Sequence, residues 1–234
     1  MKIQGVLFDK DGTLIEVNAT WVPIYREILK ELCATDDAGA EALMQRAGYD
    51  PAKGKFAAGS LLAGGTTRQI AASFWPDLKG EAFEARVYHM DHGYTHLVRD
   101  KLTPLMPLEP LLVELRGMGL KLGVATNDSH VSAKAHRAHV GVIEHFDDII
   151  AADTVAVPKP SGNMIAKFAE ITGLPAASLA MVGDNHHDME EARAGGAGLA
   201  IAVLSGNAAR EDIAHLADYT IESVADLPAL LRSL

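Results

Sequence analysis

The sequence lacks the features of secreted and membrane proteins. Cys33 is its single cysteine, so the chain can form neither an internal disulfide nor a structural zinc site built on thiolates. No apolar run approaches the ~18 residues that a membrane span requires. The apolar segment at residues 1–8 is too short for a signal peptide. We therefore expect a soluble, cytoplasmic protein.

Basic residues are also scarce, because 21 Lys and Arg face 31 Asp and Glu, which gives a formal net charge of -10. A surface for nucleic acid or for anionic membranes needs clustered basic side chains, so neither partner is expected. A phosphate substrate is compatible with this charge, since a metal ion and one or two local cations can outweigh an acidic background. With 48% hydrophobic and 22% charged residues, the composition predicts a globular protein with a substantial core.

Short apolar runs bounded by Gly, Asp or Pro indicate buried parallel strands. They lie at residues 6–8, 120–125, 148–151, 179–182 and 198–204, and residues 219–221 form a candidate edge strand. Helical patterns separate these runs, and one of them places Leu111, Leu112 and Leu115 on the same side. Strands that alternate with helices predict an α/β fold with a doubly wound, mostly parallel sheet and helices on both faces.

Residues 16–103 have a different pattern and show no convincing strand. Helical stretches lie at residues 21–33, 37–47, 66–75 and 81–100. We therefore predict an all-helical insertion, called the insertion below, in an α/β core made of residues 1–15 and 104–234. An insertion after the first strand lies above the carboxyl ends of the sheet, where open α/β folds bind ligands, so it is expected to act as a lid.

Two acidic residues, Asp9 and Asp11, follow the first predicted strand directly, and Gly12 permits a turn that lets both face a crevice. A carboxylate is a competent nucleophile toward phosphorus. A second carboxyl group can protonate the leaving oxygen and then deprotonate a water molecule. The alternative is an acidic turn in which Asp11 or Thr13 caps a helix.

Three further polar groups follow later strands. Thr126 and Asn127 come after the second core strand, where a hydroxyl and backbone N–H groups can hold phosphoryl oxygens. Lys159 lies between two prolines that stiffen its backbone, and a fixed ammonium suits the gap between a carboxylate and a phosphate. Asp184 and Asp188 offer hard oxygen ligands for Mg²⁺. Each group has an alternative interpretation. Thr126 and Asn127 could cap a helix, Lys159 could lie in a surface loop, and the two aspartates could belong to an acidic turn.

This ordered set resembles the motifs of the haloacid dehalogenase-like (HAD) hydrolase superfamily, and the resemblance covers nearly the whole chain. The resemblance implies a doubly wound core that carries a small helical cap between the first and second motifs. Within the superfamily, the position of the cap and the style of the motifs are most similar to the phosphoglycolate phosphatase group. The residues that carry the resemblance are Asp9, Asp11, Thr126, Lys159, Asp184 and Asp188.

The resemblance assigns a role to each matching residue. It implies that Asp9 is the nucleophile and a Mg²⁺ ligand, and that Asp11 is the general acid and base with its backbone carbonyl on the metal. Thr126 and the Asn127 amide correspond to phosphate binders. Lys159 corresponds to the cation that steadies the nucleophile and the phosphoryl group.

The metal completes this assignment. Asp184 corresponds to a direct ligand, and Asp188 ligates directly or through water. Because the ligands that fit are carboxylates, we expect Mg²⁺ rather than zinc, although His186 and His187 lie in the same loop.

Two basic residues, Lys10 and Arg68, lie outside this ordered set. Lys10 stands between the two acids where an apolar residue is expected, and a side chain directed away from the phosphate is the simplest interpretation. Arg68 follows a glycine-rich turn in the insertion and could bind a substrate carboxylate in bidentate fashion. A solvated helix residue is the alternative for Arg68.

We therefore expect a Mg²⁺-dependent phosphatase that hydrolyses a small phosphorylated metabolite, such as phosphoglycolate, through an aspartyl-phosphate. The chain is expected to act as a monomer or a homodimer. A sugar-phosphate mutase with the same motifs is the nearest alternative. A receiver-like or other phosphate-binding module without catalytic activity is a second one, although a receiver would be about half as long and would leave Lys159 unexplained.

Overall fold

A six-stranded parallel sheet forms the centre of the protein. The computed structural model describes residues 2–97, 102–140 and 143–234. The strands follow the spatial order β5-β4-β1-β6-β7-β8, and every neighbouring pair is parallel. They are β1 (Gly5–Phe8), β4 (Lys121–Thr126), β5 (Asp148–Ala151), β6 (Leu179–Gly183), β7 (Leu199–Val203) and β8 (Tyr219–Ile221). The α/β fold with a doubly wound, mostly parallel sheet is confirmed.

Strand β1 lies in the middle of this sheet, between β4 and β6. Val6, Leu7 and Phe8 are completely buried, as expected for a parallel strand that is covered on both faces. Register pairs Phe8 with Val124 on one side and with Val182 on the other. The segments that follow β1, β4 and β6 therefore leave the sheet at the same edge.

Helices from residues 108–233 cover both faces of the sheet. Val6 and Phe8 contribute to an apolar cluster on one face, and Leu7 contributes to a cluster on the other. This separation follows from the alternation of side chains along a strand. The helices are α6 (Leu108–Gly117), α7 (His130–Val140), α8 (Asn163–Thr172), α9 (His186–Gly195), α10 (Arg210–Ile213) and α11 (Leu227–Ser233).

The insertion has an apolar cluster of its own, which includes Trp21, Tyr25 and Phe56. The chain enters and leaves it side by side, because Glu16 N donates to Thr103 O at 2.8 Å. Its helices are α1 (Val17–Cys33), α2 (Asp37–Arg46), α3 (Leu61–Gly64), α4 (Thr67–Phe74) and α5 (Gly80–Leu97). The predicted helix at 81–100 extends at its end beyond the described residues. Among the described residues, no helix is both long and apolar enough to cross a membrane.

The insertion also contains a short antiparallel hairpin, so it is not entirely helical as predicted. Strands β2 (Tyr49–Asp50) and β3 (Lys55–Phe56) have two residues each, which is too short to produce an alternating pattern in the sequence. The hairpin depends on a distant partner, because Phe56 N donates to Asn18 Oδ1 at 2.9 Å.

Candidate active site

Asp9 lies at the carboxyl end of β1, at the centre of the sheet edge. Its backbone N–H continues the ladder to β6 by donating to Val182 O at 2.8 Å, and its side chain is buried. Gly12 then turns the chain with a φ of 81°. A Cβ on Gly12 would lie 2.5 Å from the Asp184 carboxylate, so glycine is required for both the turn and the close approach.

Lys159 joins the first motif to the last. Its buried ammonium donates to Asp9 Oδ1 at 2.6 Å, to Asp188 Oδ1 at 2.7 Å and to Ala125 O at 3.0 Å. Burial alone would lower the pKa of Lys159, but the charges of Asp188 and Asp9 outweigh it and raise that pKa. The lysine therefore stays protonated between the two carboxylates.

Asp9, Asp184 and Asp188 form a buried carboxylate cluster in which one oxygen from each residue lies within 4.8 Å of the others. Burial is the main cause that raises the pKa of Asp184 well above its ordinary value, and the charges of Asp9 and Asp188 add to it. Burial likewise raises the pKa of Asp9 to about 7, although Lys159 opposes the shift.

This cluster fits a divalent cation. The Lys159 ammonium offsets one of the three carboxylate charges, and a doubly charged ion would offset the other two. All three donors are oxygen atoms, the ligand type that Mg²⁺ prefers. The raised pKa values of Asp9 and Asp184 indicate that the site favours protons on these two groups when no other cation balances their charge.

The Asp188 side chain also organises the start of α9. Its second oxygen, Oδ2, accepts from Asn185 N at 3.1 Å, while the Asn185 side chain accepts from His187 N. This reciprocal arrangement is a capping box that fixes the turn between β6 and α9. The helix start thus holds Asp188 in place for its contact with Lys159.

Thr126 is the last residue of β4, Asn127 follows it, and both are buried. Thr126 Oγ1 accepts from Asp128 N at 3.1 Å. The Asn127 side chain donates to Gly64 O of the insertion at 2.8 Å and accepts from Lys159 N at 3.1 Å. Asn127 therefore ties the insertion and the lysine loop to the end of β4.

Asp11 contacts two groups that the sequence did not assign to the site. Its Oδ1 accepts from Trp21 Nε1 at 2.7 Å, and its Oδ2 lies 2.6 Å from Lys10 Nζ. Lys10 is buried rather than directed away into solvent, and it also pairs with Asp128 at 2.8 Å. Lys10 does not line the cavity at the carboxylate cluster, so a side chain directed away from the phosphate stays a prediction, and its two carboxylate partners hold it inside the protein.

The loop after β7 is a second feature that sequence reasoning missed. Ser205 Oγ donates to Gly12 O at 2.7 Å, and Asn207 N donates to Asp184 Oδ2 at 3.3 Å. A Cβ on Gly206 would lie 1.8 Å from Asp184 Oδ2, so only glycine lets this loop approach the carboxylate. Gly206, which comes shortly after the predicted strand at residues 198–204, was the signal in the sequence that could have indicated this loop.

Arg68 lies apart from this centre. It is 57% exposed at its side chain and forms a bidentate pair with Glu84, at 2.9 and 2.6 Å. It does not line the cavity at the carboxylate cluster, so the structure does not support a contact with substrate there. His187, by contrast, does line that cavity.

The cavity lies between the sheet edge and the insertion. Among the described residues of the insertion, no lysine or arginine lines it. On the core side, its polar lining residues include Asp9, Asp11, Thr126, Asn127, Lys159 and Asp188. On the side of the insertion it is lined by Val17, Trp21, Tyr25, Leu62, Ala63, Gly64 and Gly65.

Carboxylates and a buried lysine gather at the carboxyl ends of a parallel sheet, which is where α/β enzymes of this class bind their ligands. The family model for haloacid dehalogenase-like hydrolases matches residues 3–196, and the chain belongs to this family.

Known relatives agree with this assignment. A phosphoglycolate phosphatase of Chromobacterium violaceum is 29% identical over 99% of this chain and 97% of its own length. The pyrophosphatase PpaX of Bacillus velezensis is 24% identical over 97% of this chain and 95% of its own. A hydrolase structure from Pseudomonas syringae superposes with a TM-score of 0.73 at 20% identity, covering 99% of each chain. The protein is therefore a hydrolase of the phosphatase type.

Proposed function

We propose that the protein is a Mg²⁺-dependent phosphatase that hydrolyses a small phosphate monoester through an aspartyl-phosphate on Asp9. One observation carries this proposal: the Lys159 ammonium joins Asp9 to Asp188 inside a cavity where three buried carboxylates converge. A nucleophile, a fixed positive charge and a set of oxygen ligands are thereby present together, as phosphoryl transfer requires.

Asp9, Asp184 and Asp188 would hold the cation, together with the backbone carbonyl of Asp11. When bound, Mg²⁺ neutralises charge on the phosphoryl oxygens and on the ligands. Asp9 must be ionised to attack phosphorus, and Lys159 favours that form through its contact at 2.6 Å. Thr126 and the Asn127 amide are proposed to hold the remaining phosphoryl oxygens at the end of β4.

The reaction proceeds in two halves. A carboxylate oxygen of Asp9 attacks phosphorus, the bond from phosphorus to the ester oxygen breaks, and Asp11 gives a proton to the departing oxygen. A water oxygen then attacks the same phosphorus, Asp11 accepts a proton from that water, and the bond from phosphorus to Asp9 breaks. Ester and water thus give alcohol and phosphate, and both residues return to their starting state.

We infer that residues 16–103 form a cap over a core of residues 1–15 and 104–234. The separate apolar cluster of the insertion and its position over the carboxylates support this division. The cavity suits a small metabolite as the partner, and phosphoglycolate is one candidate because a relative is named for it. The acidic net charge supports an enzyme without a nucleic-acid or anionic-membrane partner, and we propose that it is cytoplasmic.

The experiment that tests this proposal compares Asp9→Asn with wild type in a phosphate-release assay, with Mg²⁺ and with chelator. The substrates are phosphoglycolate, glycerol 3-phosphate, a sugar phosphate, a nucleotide and pyrophosphate. We expect Asp9→Asn to lose roughly 10⁴-fold or more in rate while its fold is retained, because no carboxylate remains to attack phosphorus. Chelator should have a comparable effect on the wild type.

Asp77→Asn, which changes an exposed aspartate of the insertion, is the matched control and should keep full activity. Mass spectrometry of acid-quenched wild type should find phosphate on the peptide that contains Asp9. Full activity in Asp9→Asn would exclude the covalent mechanism. Transfer of phosphate between two positions of a sugar, without net release, would instead identify a mutase.

A further inference from the structure

Lys10 is held at the centre of a small buried network next to the cavity. Its side chain is only 7% exposed, and its ammonium lies 2.6 Å from Asp11 Oδ2 and 2.8 Å from Asp128 Oδ2. The same ammonium lies 5.0 Å from the centre of the Trp21 ring, within the range of a cation–π contact. These contacts fix the lysine on three sides.

Asp11 is held in turn from two directions. Lys10, its neighbour in the chain, binds one carboxylate oxygen, and Trp21 of helix α1 donates its indole N–H to the other. With both oxygens bound, the plane of the carboxylate cannot rotate freely. Asp11 also lines the cavity, so its orientation decides where a proton can be exchanged with a substrate.

The two buried lysines of the site contact different aspartates. Lys159 contacts Asp9 and Asp188, and Lys10 contacts Asp11 and Asp128. Stability alone does not explain a buried ammonium at position 10, because a buried ion pair is often no more stabilising than an apolar residue of the same size. A role in orienting Asp11 does explain it.

We propose that Lys10 is a positioning residue that, together with Trp21, orients the Asp11 carboxyl group for proton transfer to the leaving oxygen and from the attacking water. This inference rests on the proposed function, in which Asp11 is the acid and base. Lys10 acts through Asp11 and has no contact of its own with the reacting atoms.

The proposal predicts a dependence on the leaving group. Glycerol 3-phosphate releases an alkoxide, which needs a proton, whereas acetyl phosphate releases acetate, which does not. The ratio kcat/KM reports the steps up to release of this group. In Lys10→Met we therefore expect kcat/KM for glycerol 3-phosphate to fall by about 10²-fold, within the range of general acid catalysis. For acetyl phosphate kcat/KM should change by less than about threefold, while kcat falls because Asp11 must still deprotonate water.

Three further variants test whether Lys10 acts through Asp11. Asp11→Asn should show the same difference between the two substrates with a larger loss, and adding Lys10→Met to Asp11→Asn should cause no further loss. Lys10→Arg, which keeps a cation between the two carboxylates, should restore part of the activity on glycerol 3-phosphate. Lys167→Met, which removes an exposed lysine paired with Glu170, is the matched control and should behave as wild type.

Equal losses on both substrates in Lys10→Met would overturn the proposal, and so would an additional loss in the double variant. If Lys10→Met does not fold, Trp21→Phe provides an independent test, because it keeps an aromatic ring at this position and removes the indole donor to Asp11. It should lower kcat/KM for glycerol 3-phosphate and spare acetyl phosphate. Activity of Asp9→Asn on either substrate would instead contradict the proposed function itself, so the two failures are distinguishable.

Discussion

At the scale of single residues, the carboxylate cluster places function in conflict with stability. Asp184 is buried beside Asp9 and Asp188, and its pKa is raised well above its ordinary value. A carboxyl group with a raised pKa in the folded state contributes stability that is present below its unfolded pKa, near 4, and is lost as pH rises through the folded pKa. The metal-free protein should therefore lose stability between about pH 4 and pH 7, the value for Asp9.

The variant Asp184→Asn should lose less folding stability than wild type as the pH rises. In the presence of chelator at pH 8, we expect it to be more stable than wild type by about 1–3 kcal/mol, because one charge leaves the cluster. The melting temperature should rise by about 2–8 °C. Thermal unfolding between pH 5 and pH 8 measures the effect, and the difference between the two proteins should shrink toward pH 5.

Added Mg²⁺ supplies the complementary test. It should raise the melting temperature of wild type, since a ligand that binds only the folded state stabilises it, and should have little effect on Asp184→Asn. The exposed variant Asp77→Asn should follow wild type throughout. If Asp184→Asn were instead less stable than wild type in chelator at pH 8, repulsion among the three carboxylates would not be what destabilises the folded protein.

Candidate residues such as Asp9, Lys159 and Asp184 could be identified from the sequence because they come after predicted strands. Each follows an apolar run in the chain, and the carboxyl ends of parallel strands meet at one edge. Lys10 and Trp21 could not be identified in this way. Their roles depend on the direction of a side chain and on contacts of a helix that no local pattern encodes.

At the scale of elements, a buried carboxylate joins two helices of the core. Glu191 of α9 is completely buried, and its oxygens accept from Gly162 N at 2.6 Å, Met164 N at 2.8 Å and Ile165 N at 3.3 Å. These donors are free N–H groups at the start of α8, where a negative charge is also favourable. Helix α8 follows the Lys159 loop, so its position affects the site.

Replacing Glu191 with alanine should lower the free energy of unfolding by about 3 kcal/mol or more, because several buried N–H groups lose their acceptor. Glu191→Gln should cost less, since one amide oxygen remains. Urea unfolding measures both variants. Glu190→Ala, the exposed neighbour, is the control and should change stability by less than about 0.5 kcal/mol. Equal stability of the two alanine variants would contradict this account.

Prediction of the elements succeeded where the pattern was long. The buried strands and the helices of the core have enough residues to show their period, whereas β2 and β3 have two residues each. Their pairing depends instead on Asn18, which binds Phe56 N across 38 positions of the chain. A contact over such a distance is set by tertiary structure.

At the scale of the whole molecule, the insertion determines which chemical groups the substrate can carry besides its phosphate. The part of the cavity that it lines is apolar and aromatic, including Tyr25 and Leu62, and no lysine or arginine among its described residues lies there. Arg68 is engaged with Glu84 elsewhere. A carboxylate on the substrate would thus meet no cationic side chain from the described part of the insertion, and a buried charge without a partner is costly.

We therefore expect glycerol 3-phosphate to be a better substrate than phosphoglycolate by roughly tenfold in kcat/KM, which corresponds to the usual effect of one unpaired polar group. Steady-state assays of the two compounds at the same Mg²⁺ concentration measure the ratio. A preference for phosphoglycolate of similar size would show that a cation reaches the cavity when substrate is bound.

The hydrogen bond from Trp21 to Asp11 also gives the enzyme an internal optical reporter. The chain contains two tryptophans, and Trp75 lies elsewhere in the insertion beside Phe74 and Arg86. Exchange of Trp75 for phenylalanine leaves a single indole, whose N–H touches the proposed acid and whose ring faces the Lys10 ammonium. Its fluorescence emission will follow the arrival of cation and phosphate at the centre, so each stage of the reaction can be timed without an added dye.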